Sequence, residues 1–404
     1  MPSVLQINVS ANWGSHGKIC SQIGDIILDN GWDSYIAYGV NMSPSRSQLI
    51  KIGGRYNFYK HALMTRLFDR HGLSSIRETR HLVQTIREID PDIIHLHNLH
   101  GYYVNYKILF QCLSECQKPV VWTLHDCWPF TGHCAHFERF KCFKWRTGCH
   151  DCVMKRRYPQ SLFFDNSEKA YRLKKSLFNG VHNLTLVPVS KWLERYVRES
   201  FLSHHNIKVI YNGVDLDVFK PYYTYTSDSA LHLQDLCRRS GKKIVLGVAS
   251  IWAEHRGMKD FIMLSEHEDL QIILIGVKEE QRKKIPQNIF CINRTTDQGE
   301  LAQFYSLADV YVNPTHMDNF PTTNIEALAC GTPVVTYNTG GAPEAISMET
   351  GRVVEKSDVQ GLYKAICELT NNGKPTAACR ERALACFSKN DRYEDYFEIY
   401  KTLL

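Results

Sequence analysis

Residues 125–152 read HDCWPFTGHCAHFERFKCFKWRTGCHDC, which places five cysteines and four histidines in 28 residues. At that density, imidazoles, thiols and a carboxylate can ligate a metal, form a disulfide knot or line a reactive site. Cys134, Cys142, Cys149 and Cys152 stand apart as C-x7-C-x6-C-x2-C, and the closing pair has a usual zinc-ligand spacing. Four thiolates would close a tetrahedral structural zinc site, with Cys127, His133 and His136 as alternative ligands. Reduced thiols that simply pack are the other reading. The leading pair is a separate signal: Asp126 could orient His125, or only begin a turn.

A second constellation is PTHMDNFPTTNIEALACGTPVVTYNTGGAPEAI at 314–346. Asp318 and Glu326 straddle a helix start at Pro321–Thr323, where unpaired N–H groups and the helix dipole suit a phosphate. Glu326, about one turn inside, can accept hydrogen bonds from hydroxyls, and Gly340-Gly341 makes a second glycine turn. The plainer reading is an amphipathic helix carrying two solvated acids. Earlier in the chain, Gly14-Ser15-His16-Gly17 lets backbone N–H groups approach an anion, although its spacing is neither a dinucleotide fingerprint nor a P-loop. His95, His97, Asn98 and His100 gather at another strand end, with His95 and His97 on one side by the two-residue period. Hydrogen-bonded histidines around a cleft are as good a reading of them as a direct role.

The elements that must position these residues alternate. Apolar runs at 4–10, 92–98, 119–126 and 184–190 are separated by helical patterns, such as Ile19, Ile23, Ile26 and Ile27 ahead of Gly31. The second half repeats the theme at 242–250, 270–277, 309–314 and 332–337. Short β-branched runs between amphipathic helices predict the α/β class, with parallel sheets covered on both faces. At 404 residues two domains are expected: 1–186, carrying the Cys-rich loop 127–152, and 187–385. An aromatic helix at 386–404 could cross back to the first. Ligands of such sheets bind beyond the carboxyl ends of the strands.

The formal charge of +6 is uneven: residues 1–186 carry 23 Lys and Arg against 14 Asp and Glu. A basic half suggests something anionic as its partner. Residues 51–80 hold much of that charge, with Tyr56, Phe58, Tyr59, Leu63, Leu67 and Phe68 interleaved. Peripheral membrane contact through this segment, or a solvated helix packing its apolar face on its own domain, are the two expectations. Nucleic acid is not expected, since no binding motif accompanies the charge. No membrane span or signal peptide is visible, so the expected location is cytoplasmic, on the inner face of the membrane if the basic segment docks there, with reduced thiols.

Taken together, GSHGKI, TLHD, PVSKWL, YNGVDLDVFKP, LGVASIW…RG, ELAQFYSLADVYVNPT and the block around Glu326 resemble family 4 glycosyltransferases, the retaining GT-B group that builds bacterial polysaccharides. The resemblance implies two Rossmann-like domains with parallel sheets facing a central cleft. It implies a hexosyltransferase that moves a sugar from a UDP- or GDP-sugar donor to a glycan or lipid-diphosphate-linked acceptor, in exopolysaccharide, capsule or O-antigen synthesis. The implied catalytic set is His125, Arg256, Asp318 and Glu326, with Glu326 on the ribose hydroxyls. Gly14, Gly17, Arg294, Asn319, Phe320, Pro321, Thr322 and Thr323 are the implied donor contacts, and His100, Asp126 and Lys191 lie on the acceptor side. The scheme requires no cofactor. Two positions depart from the family: Asp318 replaces the usual Glu, and Ile251 fills an upstream basic position, while Arg256 stands where Lys is common. These departures make a non-catalytic sugar-nucleotide-binding protein the alternative.

Overall fold

The computed structural model describes residues 1–295, 297–371 and 373–404, without the side chains at 236–238 and 240. Two units emerge: Met1–Tyr211 with Arg392–Leu404, and Asn212–Asp391. The first is built on seven strands: β1 (Ser3–Asn8), β2 (Asp33–Tyr38), β3 (Gln48–Lys51), β4 (Ile93–Leu96), β5 (Val120–Leu124), β6 (Leu184–Pro188) and β7 (Asn206–Ile207). Their order is β3-β2-β1-β4-β5-β6-β7, and every pairing is parallel. β1, β4, β5 and β6 bury every residue. A parallel sheet needs that when helices cover both its faces. The helix Gly14–Asp29 is one such cover, with Ile19, Ile23 and Ile27 buried along one side.

The second unit has six parallel strands: β8 (Lys243–Val248), β9 (Leu270–Ile275), β10 (Phe290–Ile292), β11 (Val310–Asn313), β12 (Val334–Tyr337) and β13 (Gly351–Val354). Their order is β10-β9-β8-β11-β12-β13. Each sheet therefore reverses direction once, between β1 and β4 in the first and between β8 and β11 in the second. At such a switch point the chain leaves neighbouring strands toward opposite faces and opens a crevice at their carboxyl ends.

The first unit extends past residue 186 because β6 begins at Leu184 and pairs with β7. The returning segment begins at Arg392 rather than 386. Residues just before it stay with the second unit, where Val214 and Lys389 exchange backbone hydrogen bonds with Phe387 and Val214. Beyond Arg392, Tyr393, Tyr396, Phe397 and Tyr400 pack on Val4, Ile19, Ile23 and Ile93 of the first unit. Each fully buried ring of this kind contributes about 1.5–3 kcal/mol, so the segment is an integral part of that core. Among the described residues, no helix is long and apolar enough to cross a membrane.

Candidate functional site

At the switch point of the second sheet, the loop after β8 meets the loop after β11. His316 N–H donates to the His255 carbonyl, and Arg256 Nη1 donates to Asp318 Oδ2 at 2.6 Å. The Arg256 side chain keeps 37 % of its surface exposed, so a fixed cation stands where an open sheet admits its ligand. The loop after β12 supports this arrangement through backbone. Gly341 N–H donates to the Asn319 carbonyl at 3.0 Å, and Gly340 passes against the Asp318 carbonyl. Asn319, Phe320 and Pro321 are buried behind it.

Pro321 then caps the helix Thr322–Ala329, whose first-turn N–H groups emerge beside Asp318 in sequence. One turn along, Glu326 Oε2 accepts from the Tyr305 hydroxyl at 3.0 Å. Burial, and then the Glu326 charge, push the Tyr305 phenol far above its ordinary value. It is therefore a permanent donor that fixes one carboxylate oxygen. Thr323 hydrogen-bonds Tyr311. Arg294 is placed differently. It follows β10, the edge strand two positions from β8, and is exposed; no described hydrogen bond or ion pair joins it to Arg256 or Asp318.

At the switch point of the first sheet, Gly14 and Gly17 open the helix after β1, and Gly17 lies so close to Ser10 that a Cβ would come within 2.7 Å of its hydroxyl. His16 from this turn packs on His125 with ring centroids 4.4 Å apart. Hydrogen-bond bookkeeping assigns the tautomers here. The Gln6 amide gives its Nε2–H to the Cys20 carbonyl, so its Oε1, 3.0 Å from His97 Nε2, must accept. Burial holds His97 well below its ordinary pKa, and it is neutral at pH 7. Its Nδ1 is then the acceptor of the 3.4 Å contact to His125 Nε2. His125, kept neutral by burial and then by His16 and His97, thus carries its proton on Nε2 and has an acceptor at Nδ1. His95 belongs to the core instead. It contacts the Thr123 and Tyr400 hydroxyls at 2.8 and 2.6 Å, and burial lowers it to about 3.

His100 and Asp126 form a second pair at 2.5 Å, with Tyr158 on the other imidazole nitrogen at 2.8 Å. Burial raises the Asp126 carboxyl, but His100 and the Trp128 N–H outweigh it and hold the group well below the usual range. Lys191 opens the helix after β6 and is exposed. The Cys-rich loop is anchored by buried Lys174, whose Nζ donates to the Trp128 and Thr131 carbonyls and lies 3.4 Å from the centroid of the Trp128 ring. Cys134, Cys142, Cys149 and Cys152 are free thiols close enough to act on one another electrostatically. Among the described residues, no three His, Cys, Asp or Glu side chains stand where they could hold a metal ion.

Of the groups that complete these sites, Gln6, Tyr158, Lys174 and Tyr305 carry no signal of their own in the sequence. Each is an ordinary residue of an apolar run, loop or helix.

Residues 30–218 match the model of Glycosyltransferase Family 4, and residues 234–385 that of Glycosyl transferases group 1. The chain is built of glycosyltransferase domains, the first matching family 4 and the second group 1. It is 25 % identical, over 99 % of its length and all of the relative's, to WcaC of Escherichia coli K12, named as a candidate colanic acid biosynthesis glycosyl transferase. CapM of Staphylococcus aureus, a capsular polysaccharide biosynthesis glycosyltransferase, is 29 % identical over 35 % of this chain and 40 % of its own. In fold, the chain resembles sucrose-phosphate synthase of Thermosynechococcus elongatus (TM-score 0.72, 17 % identity, 100 % and 99 % of the two chains). It also resembles Anabaena HepE in complex with UDP (TM-score 0.65, 15 % identity, 100 % of both chains). The fold is GT-B and the protein is a glycosyltransferase enzyme.

Proposed function

We propose that this glycosyltransferase of polysaccharide biosynthesis is a retaining hexosyltransferase, using a UDP- or GDP-sugar and a glycan or lipid-diphosphate-linked acceptor. The observation that carries the reading is the Arg256–Asp318 pair at the switch point, followed by the helix Thr322–Ala329 with Glu326 about one turn inside its start. Transfer breaks the bond from the anomeric carbon to the phosphate oxygen and forms one to the acceptor oxygen on the same face. The acceptor proton passes to the departing diphosphate. Negative charge grows on that leaving group, and a fixed guanidinium with helix N–H groups lowers the barrier by meeting it without reorganisation. Glu326, one oxygen held by Tyr305, suits the ribose hydroxyls. His125, kept neutral by burial, suits a sugar hydroxyl better than a phosphate oxygen. Two relatives named for colanic acid and capsule synthesis support the setting. HepE, whose fold this chain shares, has been crystallised with UDP and with UDP-glucose.

The test is thermal stability against UDP, GDP, ADP and CMP. A ligand that binds only the folded chain stabilises it by about 2.7 kcal/mol at a hundredfold excess over its Kd. One nucleotide should shift the midpoint, and Glu326→Ala should remove most of that shift and of transfer activity. A full shift in Glu326→Ala would sink the assignment. We also propose that zinc, when bound, draws the four loop thiols into a structural site from their present positions, where no three described ligand side chains could hold a metal. Metal analysis of protein purified without chelators should find about one zinc per chain, lost in Cys149→Ser; metal-free protein of unchanged stability would discard the site.

A further inference from the structure

Close to the Arg256–Asp318 pair in sequence lies a carboxylate that the donor site leaves unexplained. Asp260 stands in the first turn of the short helix Met258–Leu264, one glycine after Arg256, and only 7 % of it is exposed. Both of its oxygens are engaged. Oδ1 accepts from the Tyr337 hydroxyl at 2.8 Å, and Oδ2 lies 3.2 Å from His316 Nε2. A carboxylate only accepts, so the imidazole gives its Nε2–H. Burial, and then the Asp260 charge, push the Tyr337 phenol far above its ordinary value and keep it a donor.

These three side chains come from three segments. Asp260 belongs to the segment after β8, His316 to the loop after β11, and Tyr337 is the last residue of β12. The same segments carry Arg256, Asp318 and the Gly340-Gly341 turn. The first two are joined through backbone as well, because the His255 carbonyl accepts from the His316 N–H at 2.8 Å and from the Thr315 hydroxyl at 3.4 Å. Lys356, beyond β13, donates to the His316 carbonyl at 2.9 Å. The main chain of His316 is therefore held on both sides while its ring reaches Asp260.

A buried carboxylate contributes little net stability beside an apolar side chain of similar size, since desolvation offsets what its partners return. Its hydrogen bonds do fix direction. Here they set the spacing of segments whose ends must meet one ligand, and a misplacement of about 1 Å in such a site costs about 100-fold in rate.

We propose that Asp260 and His316 are positioning residues for the donor site: Asp260, anchored by Tyr337, clamps the loop of Asp318 to the turn of Arg256 through the His316 imidazole. Asp260 acts on a nucleoside diphosphate only through the loops it holds. The inference rests on the donor-site reading above and adds to it the device that sets the guanidinium in place.

The test is calorimetric titration of the full chain with UDP and with GDP. His316→Ala should weaken the nucleotide that binds at least tenfold. His316→Gln, whose amide N–H can reach the same carboxylate, should recover most of that loss, an effect that packing alone would not give. Asp260→Asn should weaken binding too, because its amide turns an N–H toward one of two donors. Adding His316→Ala to it should cost nothing more, since both changes break one link. His316 keeps 27 % of its side chain exposed, so its variants should melt close to the parent, and they decide the matter alone if Asp260→Asn does not fold. Parent-like affinity in His316→Ala would overturn the proposal, and so would additive losses in the double variant. A glutamine variant as weak as the alanine one would also overturn it, placing the imidazole on the ligand itself. A parent that binds neither UDP nor GDP removes the donor-site reading and this inference with it, whereas a parent that binds while His316→Ala binds equally well removes only this one.

Discussion

Arg256→Ala is expected to lower kcat by about 10²–10³-fold, the effect of removing one preorganised donor from a site of developing charge. The location of Arg256 makes the effect specific. It sits at the strand-order reversal beside β8 and is held at 2.6 Å by Asp318. A side chain so fixed needs no reorganisation as the diphosphate departs. Arg256→Lys should recover part of the rate, because charge survives and the planar fork does not. Asp318→Asn supplies the contrast. In the free chain Asp318 shares the guanidinium, so removing its charge should leave affinity for the bare nucleoside diphosphate unchanged or higher, whereas Arg256→Ala should weaken it. Steady-state kinetics and calorimetric titration read both. An Arg256→Ala enzyme within threefold of the parent in kcat would take Arg256 out of the mechanism.

That pair was half legible in the sequence. The acid and the glycine turn announce themselves, since Asp318, Pro321, Glu326 and Gly340-Gly341 punctuate a strand–loop–helix unit in which few structural alternatives exist. Arg294 shows the limit. Close in sequence to the loop that carries Asp318, it follows β10, which the topology sends to the sheet edge. Strand order is decided by which faces the crossover helices cover, and a list of strands does not contain it. Tyr305 was hidden for a related reason: it approaches Glu326 from a preceding helix, 21 residues earlier. The basic segment illustrates the other limit. Its apolar periodicity was plain, but periodicity alone does not tell which face is buried. The answer came from Ser75 and Gly72, which satisfy His61 and so make the polar stripe of Asn57, His61 and Thr65 the inner one. The unit boundary likewise moved beyond 186 because strand pairing with β7 is a long-range fact.

Gly340→Ala is expected to destabilise the second unit by about 2–4 kcal/mol and to weaken nucleotide binding in parallel. Gly340 has φ +56°, and a Cβ there would lie 1.6 Å from the Asp318 carbonyl oxygen. The obstruction is backbone, so no rotamer change relieves it: either the 318–320 segment moves or the loop after β12 does. Either movement breaks the hydrogen bond from Gly341 to Asn319 and shifts Asp318 away from Arg256. Gly14→Ala isolates the conformational part of the cost. Gly14 has φ +66°, but a Cβ there would meet nothing within 4 Å, so only left-handed strain of about 1 kcal/mol applies. Urea denaturation of both variants, with and without the nucleotide, separates strain from overlap. If the two cost the same, the loop after β12 has room to retreat, and Asp318 is positioned by Arg256 rather than by the glycine turn. A larger loss in Gly340→Ala, with weakened binding, makes the close backbone approach the feature that holds the Asp318 segment in place.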